Sequence, residues 1–270
     1  MRALVTGVAG FIGSRLAQRL LADGWDVTGV DSLTTYYDTS VKRDNVARLQ
    51  QLDGKFEFLA VDLLSAPLRP IVRGADVVFH LAGQPGVRLS WADGFQTYND
   101  LNVTATQRLL EAARDSGISR FVFSSSSSVY GNAARYPVLE SDRPNPFSPY
   151  GVTKLAAEHL CRAYASNFEV PVVSLRYFTV FGPGQRPDMA IHRMIEAASH
   201  QKAFPVYGDG RQVRDFTYVD DVVDASVRAA LSDSVENGSV FNVAGESSTS
   251  LLKLIETVGQ AVGSPVPIDS

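Results

Sequence analysis

Tyr150 and Lys154 stand four residues apart in the stretch Ser148-Pro149-Tyr150-Gly151-Val152-Thr153-Lys154. At the start of a helix, that spacing puts both side chains on one face. An ammonium beside a phenol favours the phenolate. A free phenol titrates near ~10, so a base working at neutral pH needs a shift of roughly three units, about 4 kcal/mol of differential stabilisation. Lys154 and a cationic cofactor together would supply it, and Tyr150 would then accept a proton. Ahead of this pair runs Ser124-Ser125-Ser126-Ser127-Ser128, bounded by apolar Phe121-Val122-Phe123 and by Val129-Tyr130-Gly131. That boundary reads as a strand end placing hydroxyls in a site rather than as a polar linker. Any helix can carry a Tyr and a Lys four apart, so the surrounding elements decide what the pair means.

Residues 2–6 read as a short buried strand that ends in Gly7-Val8-Ala9-Gly10-Phe11-Ile12-Gly13, after which residues 14–21 carry helical periodicity. Strand, glycine turn and helix come in the order a nucleotide site needs. The first glycine permits the tight turn, the second lets backbone approach a pyrophosphate, and the third lets helix pack on strand with its N-terminal amides facing the anion. The next strand, residues 25–30, ends in Asp31, where a carboxylate accepts hydrogen bonds from an adenosine ribose diol and repels a 2′-phosphate. NAD is therefore expected over NADP, although Lys42 and Arg43 form a basic pair that, if flexible, could reach a phosphate.

Strand and helix patterns keep alternating through residues 56–61, a short helix near Leu68, residues 75–80, a long helix at 102–114 and a strand at 120–123. The expected fold is α/β, a doubly wound parallel sheet whose carboxyl edge carries Asp62-Leu63, Leu81-Ala82-Gly83-Gln84 and the serines. Residues 132–149 form a long connection of the kind that usually carries function. Beyond the Tyr150 helix come a buried strand at 171–178, turn formers with Arg186, a helix at 190–198, strand-like 204–207 and a polar stretch at 208–215. A strand at 240–243 and an amphipathic helix at 251–262 follow. Arg186, Arg211 and Arg214 are the concentrated basic residues of this half, and guanidinium groups bind a diphosphate bidentately.

With 45% hydrophobic and 20% charged residues over 270 positions, the chain has the composition of a soluble globular protein. A formal charge of −4 argues against nucleic acid as a partner. Cys161 is the single cysteine, so no intrachain disulfide and no cysteine-based metal site is expected. No leader-like or membrane-length apolar run is seen, and a cytoplasmic protein is expected, neither exported nor embedded.

Gly7/Gly10/Gly13, Asp31, Asp62-Leu63, His80-Leu81-Ala82-Gly83, the serines before Val129-Tyr130-Gly131, Tyr150-x-x-x-Lys154, Arg176-Tyr177-Phe178 and Arg214-Asp215-Phe216 occur in one order. Together, across residues 2–245, they resemble the extended short-chain dehydrogenase/reductase family. Local features are similar to its members that epimerise UDP-glucuronate at C4: Tyr36-Tyr37-Asp38 through Lys42, Gln84-Pro85-Gly86-Val87-Arg88, and Phe178-Thr179-Val180-Phe181-Gly182-Pro183 with Arg186-Pro187-Asp188-Met189-Ala190. Glucose 4-epimerases and glucuronate decarboxylases of the family usually have Asn at the Thr179 position. Decarboxylases and dehydratases usually have Glu where Ser128 stands.

The resemblance implies bound NAD, contacted by Gly7, Gly10, Phe11, Ile12, Gly13, Asp31, Asp62, Leu63, Leu81, Ala82, Gly83, Ser124, Tyr150 and Lys154. Tyr150 would be the base at the sugar 4-hydroxyl. Ser126 would hydrogen-bond the same oxygen, and Lys154 would hold the nicotinamide ribose and lower the Tyr150 pKa. Ser127 and Ser128 would meet the sugar carboxylate, Arg214 would clamp the UDP phosphates, and Arg88, Thr179 and Arg186 would be further substrate contacts. No metal is implied. Residues 1–178 with about 217–245 would form the NAD-binding Rossmann domain, and 179–216 with 246–270 a smaller substrate lobe. Family members usually add a segment beyond the strand at 266–268 that closes over the uridine; the sequence stops at Ser270, so either the lobe is truncated or the pocket is completed differently. A homodimer is implied as well. Two other outcomes stay open: decarboxylation of UDP-glucuronate to UDP-xylose or its 4-keto form, and a non-catalytic dinucleotide-binding redox sensor, a class that commonly lacks the Tyr or the Lys.

Overall fold

The computed structural model describes residues 1–133, 135–245 and 248–269. Five short apolar runs, β1 (Arg2–Thr6), β2 (Asp26–Val30), β3 (Phe56–Leu59), β4 (Val77–His80) and β6 (Val172–Tyr177), and the longer β5 (Arg120–Ser126), are strands of one sheet. Three-residue β7 (Thr179–Phe181), two-residue β8 (Phe204–Pro205), and β9 (Val213–Tyr218) follow before β10 (Ser239–Val243), which returns to the main sheet. The seven strands lie in the order β10-β6-β5-β4-β1-β2-β3, every pair parallel. A parallel sheet is covered on both faces, which is why its strands read as unbroken apolar runs rather than alternations.

Between these strands lie α1 (Phe11–Ala22), α2 (Thr39–Gln50), α3 (Leu68–Val72), α4 (Phe95–Tyr98), α5 (Ala105–Ala113), α6 (Pro149–Phe168), α7 (Ala190–His200), α8 (Val219–Leu231) and α9 (Leu251–Val262). One core joins a sheet face to α1 and α8 through Leu16, Leu20, Val222 and Val223. The other joins the opposite face to α3, α5 and α6 through Val72, Leu109, Leu110, Ala157 and Cys161. The chain winds outward from β1 in both directions, so the carboxyl ends of β1 and β4 diverge and leave a crevice between them. A third core packs Met194 and Ala198 of α7 against Leu254, Ile255 and Val258 of α9. Beside it are a three-stranded sheet, β9 between β7 and β11 (Ser248–Ser250), and a pair of β8 with β12 (Ile268–Asp269).

Two expectations change, and one helix was not expected. The helix expected at 102–114 starts at Phe95 and runs through a π-helical turn, Asn99–Thr104, before α5. Residues expected to be a polar stretch at 208–215 enter β9 from Val213, because Thr217 and its neighbours pair with β7. The stretch 39–50 is the helix α2, and only Lys42, Val46 and Leu49 of it are buried.

The Tyr150 helix is fixed at both ends and in the middle by named contacts. Ser148 caps it by accepting from Gly151 N at 3.1 Å, Pro149 occupies its first turn, and Glu169 ends it in a left-handed conformation. Two turns on from Tyr150, Glu158 meets Arg176 of β6 in an ion pair with side chains 8% and 4% exposed. Arg176 Nε donates to Glu158 Oε2 at 3.0 Å, Ser125 Oγ donates to the same oxygen at 2.8 Å, and Arg176 Nη1 donates to Tyr130 OH at 2.7 Å. Tyr130 OH continues to Asn242 Oδ1 of β10 at 2.7 Å, and Asn242 Nδ2 holds Val138 O of the long connection. Removing one partner leaves a buried charge alone, so Arg176→Ala is expected to lower unfolding free energy by about 3–5 kcal/mol in urea titrations. A loss below about 1 kcal/mol, the range of a surface pair, would contradict this burial.

Candidate active site

The glycine turn is built on contacts that admit no side chain. Gly7 has φ of +72°, and a Cβ there would lie 2.8 Å from Ala82 N. A Cβ on Gly13 would lie 2.1 Å from the Gly7 carbonyl oxygen, so α1 crosses the end of β1 at backbone contact. No side chain caps α1 at Gly10, which leaves its first amides facing the crevice. Asp31 closes the turn from β2: Oδ2 accepts from Ala9 N at 3.2 Å and Oδ1 from Leu33 N at 2.8 Å. Asn45 of α2 adds a bond from Nδ2 to Ala9 O at 3.0 Å, a support the sequence reading missed. The bare turn, the unclaimed amides and the carboxylate at the end of β2 fit the pyrophosphate and ribose of a dinucleotide.

A cavity of about 330 Å³ runs from this turn to the Tyr150 helix. It brings together the glycine turn with Phe11 and Ile12, Asp31, Asp62-Leu63, Leu81-Ala82-Gly83, Ser124, Ser126, Tyr150, Lys154, Thr179 and Arg186. Arg88, Ser127, Ser128 and Arg214 do not line it. Arg88 stacks on Tyr207, 4.0 Å from the ring centroid. Arg214, in β9, is exposed and donates to its neighbour's carbonyl, Val213 O. Ser127 and Ser128 turn away into a short helical turn, whose start is capped by Ser126 Oγ accepting from Ser128 N at 3.1 Å. Lys42 is not the flexible cation expected. It is buried, with Nζ donating to Thr34 O and Thr34 Oγ1 at 2.9 Å each, and lies 5.0 Å from the Tyr37 ring centroid.

In the cofactor-free protein burial raises the Tyr150 pKa, and the Ser126 hydroxyl and the Arg186 charge pull it back. Lys154 itself suffers from burial, which brings its ammonium down to about 8, with Nζ lying 4.8 Å from the Phe123 ring centroid. The protein's own groups thus raise the phenol's pKa and weaken the hold on the ammonium proton.

Behind the cavity wall lies a hydrogen-bonded line that sequence reasoning did not find. Thr106 Oγ1 donates to Asn102 O at 2.7 Å, so His80 Nε2 must carry the hydrogen it shares with Thr106 at 2.9 Å. His80 Nδ1 then accepts from Thr6 Oγ1 at 2.7 Å, and Thr6 Oγ1 accepts from Ala82 N. Burial pushes the His80 pKa down to about 3, which keeps the ring neutral. Asn102, in the π turn, accepts from Gln84 N at 2.7 Å and donates to Thr153 Oγ1 at 3.0 Å, and Thr153 Oγ1 donates to Tyr150 O. This line ties the loop after β4 to the Tyr150 helix. An Asn inside a helix was its only sequence signal.

Lys154 gives a pH test. Its folded pKa of about 8 lies below the unfolded 10.5, so the unfolded chain holds more protons between those values and stability rises with pH across them. Lys154→Met is therefore expected to stabilise the cofactor-free protein at pH 7 by on the order of 3 kcal/mol, with the gain fading as the pH rises from 8 to about 10.5. Thermal or urea unfolding at a series of pH values measures this; a pH-independent difference would contradict it. Among the described residues no helix is long and apolar enough to cross a membrane, and no cluster of His, Cys, Asp and Glu could hold a metal.

The family profile described as the NAD dependent epimerase/dehydratase family matches residues 3–244. An uncharacterised UDP-glucose epimerase of Bacillus subtilis is 45% identical over 264 residues, covering 97% of this chain and 83% of the relative. A probable UDP-glucuronate 4-epimerase of Rhizobium meliloti is 36% identical, covering 98% of this chain and 83% of its own. The crystal structure of UDP-glucuronic acid 4-epimerase from Bacillus cereus in complex with UDP-glucuronic acid and NAD superposes with a TM-score of 0.96 at 42% identity, covering 100% of this chain and 85% of that one. On the glycine turn, the crevice and these relatives, the chain belongs to the NAD dependent epimerase/dehydratase family.

Proposed function

We propose that this protein is an NAD-dependent UDP-glucuronate 4-epimerase. The observation that carries the reading is the meeting of Tyr150, Ser126, Lys154, Thr179 and Arg186 around one cavity that begins at a dinucleotide cradle. Support comes from the relatives that carry this activity in their names and from the solved neighbour that holds both UDP-glucuronic acid and NAD.

The glycine turn and the amides of α1 would hold the pyrophosphate of NAD, Asp31 the adenosine ribose and Lys154 the nicotinamide ribose. When bound, NAD supplies an acceptor for the C4 hydride and returns it to the sugar. Tyr150 takes the 4-hydroxyl proton as a 4-keto sugar forms and gives it back on reduction. Ser126 Oγ already accepts from Ser128 N, so its own hydrogen is free to donate to the same sugar oxygen. Inversion requires the 4-keto sugar to present its other face before reduction. Loss of carbon dioxide is the competing fate, because a C5 carboxylate stands β to the C4 ketone. Thr179 and Arg186, both on the cavity wall, would restrain that carboxylate. Ser128 offers a hydroxyl where decarboxylases of the family usually carry Glu, and the carboxylates lining the cavity, Asp31 and Asp62, are held by Ala9 N, Leu33 N and Leu64 N. The same reading assigns residues 1–178 and 217–245 to NAD and 179–216 with the residues from 246 onward to the sugar nucleotide, in a homodimer.

Incubation with UDP-glucuronate and NAD, followed by proton NMR, is expected to give UDP-galacturonate with its carboxylate retained. Tyr150→Phe is expected to cut turnover by about 10²–10⁴-fold while UDP still binds. A pentose nucleotide with carbon dioxide would make the protein a decarboxylase, and a fully active Tyr150→Phe would remove Tyr150 from the chemistry.

A further inference from the structure

Arg186 is the one arginine among the described residues that line the cavity. Its side chain is 19% exposed, and it is held by Asp188, two residues on across Pro187. Nε donates to Asp188 Oδ1 at 2.9 Å and Nη2 to Oδ2 at 3.0 Å. A guanidinium has two forks that fit a carboxylate: a side-on edge of Nε and Nη2, and an end-on edge of Nη1 and Nη2. Asp188 fills the first. On the second, Nη1 and the remaining Nη2 hydrogen have no hydrogen-bond partner among the described residues. Arg186, Tyr36 and Tyr150 line the same cavity, the guanidinium lies 5.9 Å from the Tyr36 ring centroid, and its charge opposes the rise that burial imposes on the Tyr150 pKa. Tyr36 in turn reaches the backbone of Gly86, where a Cβ would come within 2.5 Å of its hydroxyl. The Arg186 head therefore sits beside the reacting end of the cavity, with one edge occupied and one edge open.

We infer that Asp188 is a positioning residue that gives the site its preference for acidic sugars: by gripping the side-on edge of Arg186, it turns the end-on fork toward the sugar's C5 carboxylate. The identity of that acid, a UDP-hexuronate, rests on the epimerase reading above. A neutral hexose offers the fork a hydroxyl and gains no charge-assisted bidentate pair, so the preference is electrostatic and specific to the carboxylate. Without Asp188, a largely buried cation loses its counter-charge and its fixed plane, and the fork swings away from the sugar.

The test uses Tyr150→Phe protein loaded with NAD, so that binding is read without turnover, and compares UDP-glucuronate, UDP-glucose and UDP by calorimetry. Adding Asp188→Asn is expected to weaken UDP-glucuronate by about tenfold while UDP-glucose and UDP stay within about twofold, and Asp188→Glu is expected to recover most of the loss. In the protein that retains Tyr150, the same change raises KM for UDP-glucuronate more than it lowers kcat. Equal loss for all three ligands would make Asp188 merely structural, and no loss for UDP-glucuronate would detach it from Arg186's role; either overturns the inference. A parent protein that binds but never converts UDP-glucuronate contradicts the epimerase reading alone, because the three-ligand comparison still decides what Asp188 does.

Discussion

Burial of the Tyr150 phenol sets the conditions that the rest of the site has to meet. The phenol lines the cavity on a residue that is only partly buried, and the protein packed around it raises the cost of the phenolate. The neighbouring Lys154 is buried, which brings its ammonium down to about 8, so the pair is not self-sufficient. The Ser126 hydroxyl and the Arg186 guanidinium are the protein's own contributions toward the phenolate. On the proposed reading, a base arranged in this way would become effective when a cationic partner enters the cradle beside it, which would link proton abstraction to occupancy of the glycine turn.

Holding Tyr150 at that depth depends on two separate supports. On one side Glu158 and Arg176 tie the middle of α6 to β5, β6 and, through Tyr130 and Asn242, to β10. On the other side Asn102 and Thr153 tie the first turn of the same helix to the loop after β4, and His80 anchors that loop to β1 through Thr6. Both supports are made of buried polar groups with matched partners, which specify one arrangement rather than a range. The strand ends at the crevice are thereby fixed relative to one another within a single parallel sheet.

Much of this was legible in the sequence where geometry forbids alternatives. The glycine spacing is readable because the contacts of Gly7 and Gly13 leave no room for a Cβ, and the sheet strands are readable because a sheet buried on both faces requires apolar runs. The helix α2 was not legible: with three buried positions in twelve residues it carries little periodic signal, and so Lys42 looked free when it is in fact bound to Thr34. Arg88 and Arg214 show a different limit, since a motif fixes a residue's place along the chain but not where a long side chain comes to rest. Asn102, Thr106 and Thr153 act through partners far away in sequence, and no local pattern announces such contacts. The desolvation of Tyr150 was not legible for the same reason: spacing reveals the neighbouring cation, whereas desolvation depends on the whole fold.

The most direct test of this account is an ultraviolet pH titration of the Tyr150 phenol, isolated by subtracting the Tyr150→Phe protein, with the cradle empty and then filled with NAD. The account predicts a titration above the ordinary phenol value of ~10 in the cofactor-free protein and a clear downward shift once NAD is bound. A Tyr150 that already titrates below ~10 without NAD, or one that NAD leaves unmoved, would contradict the claim that burial governs this site and that the cofactor's charge relieves it.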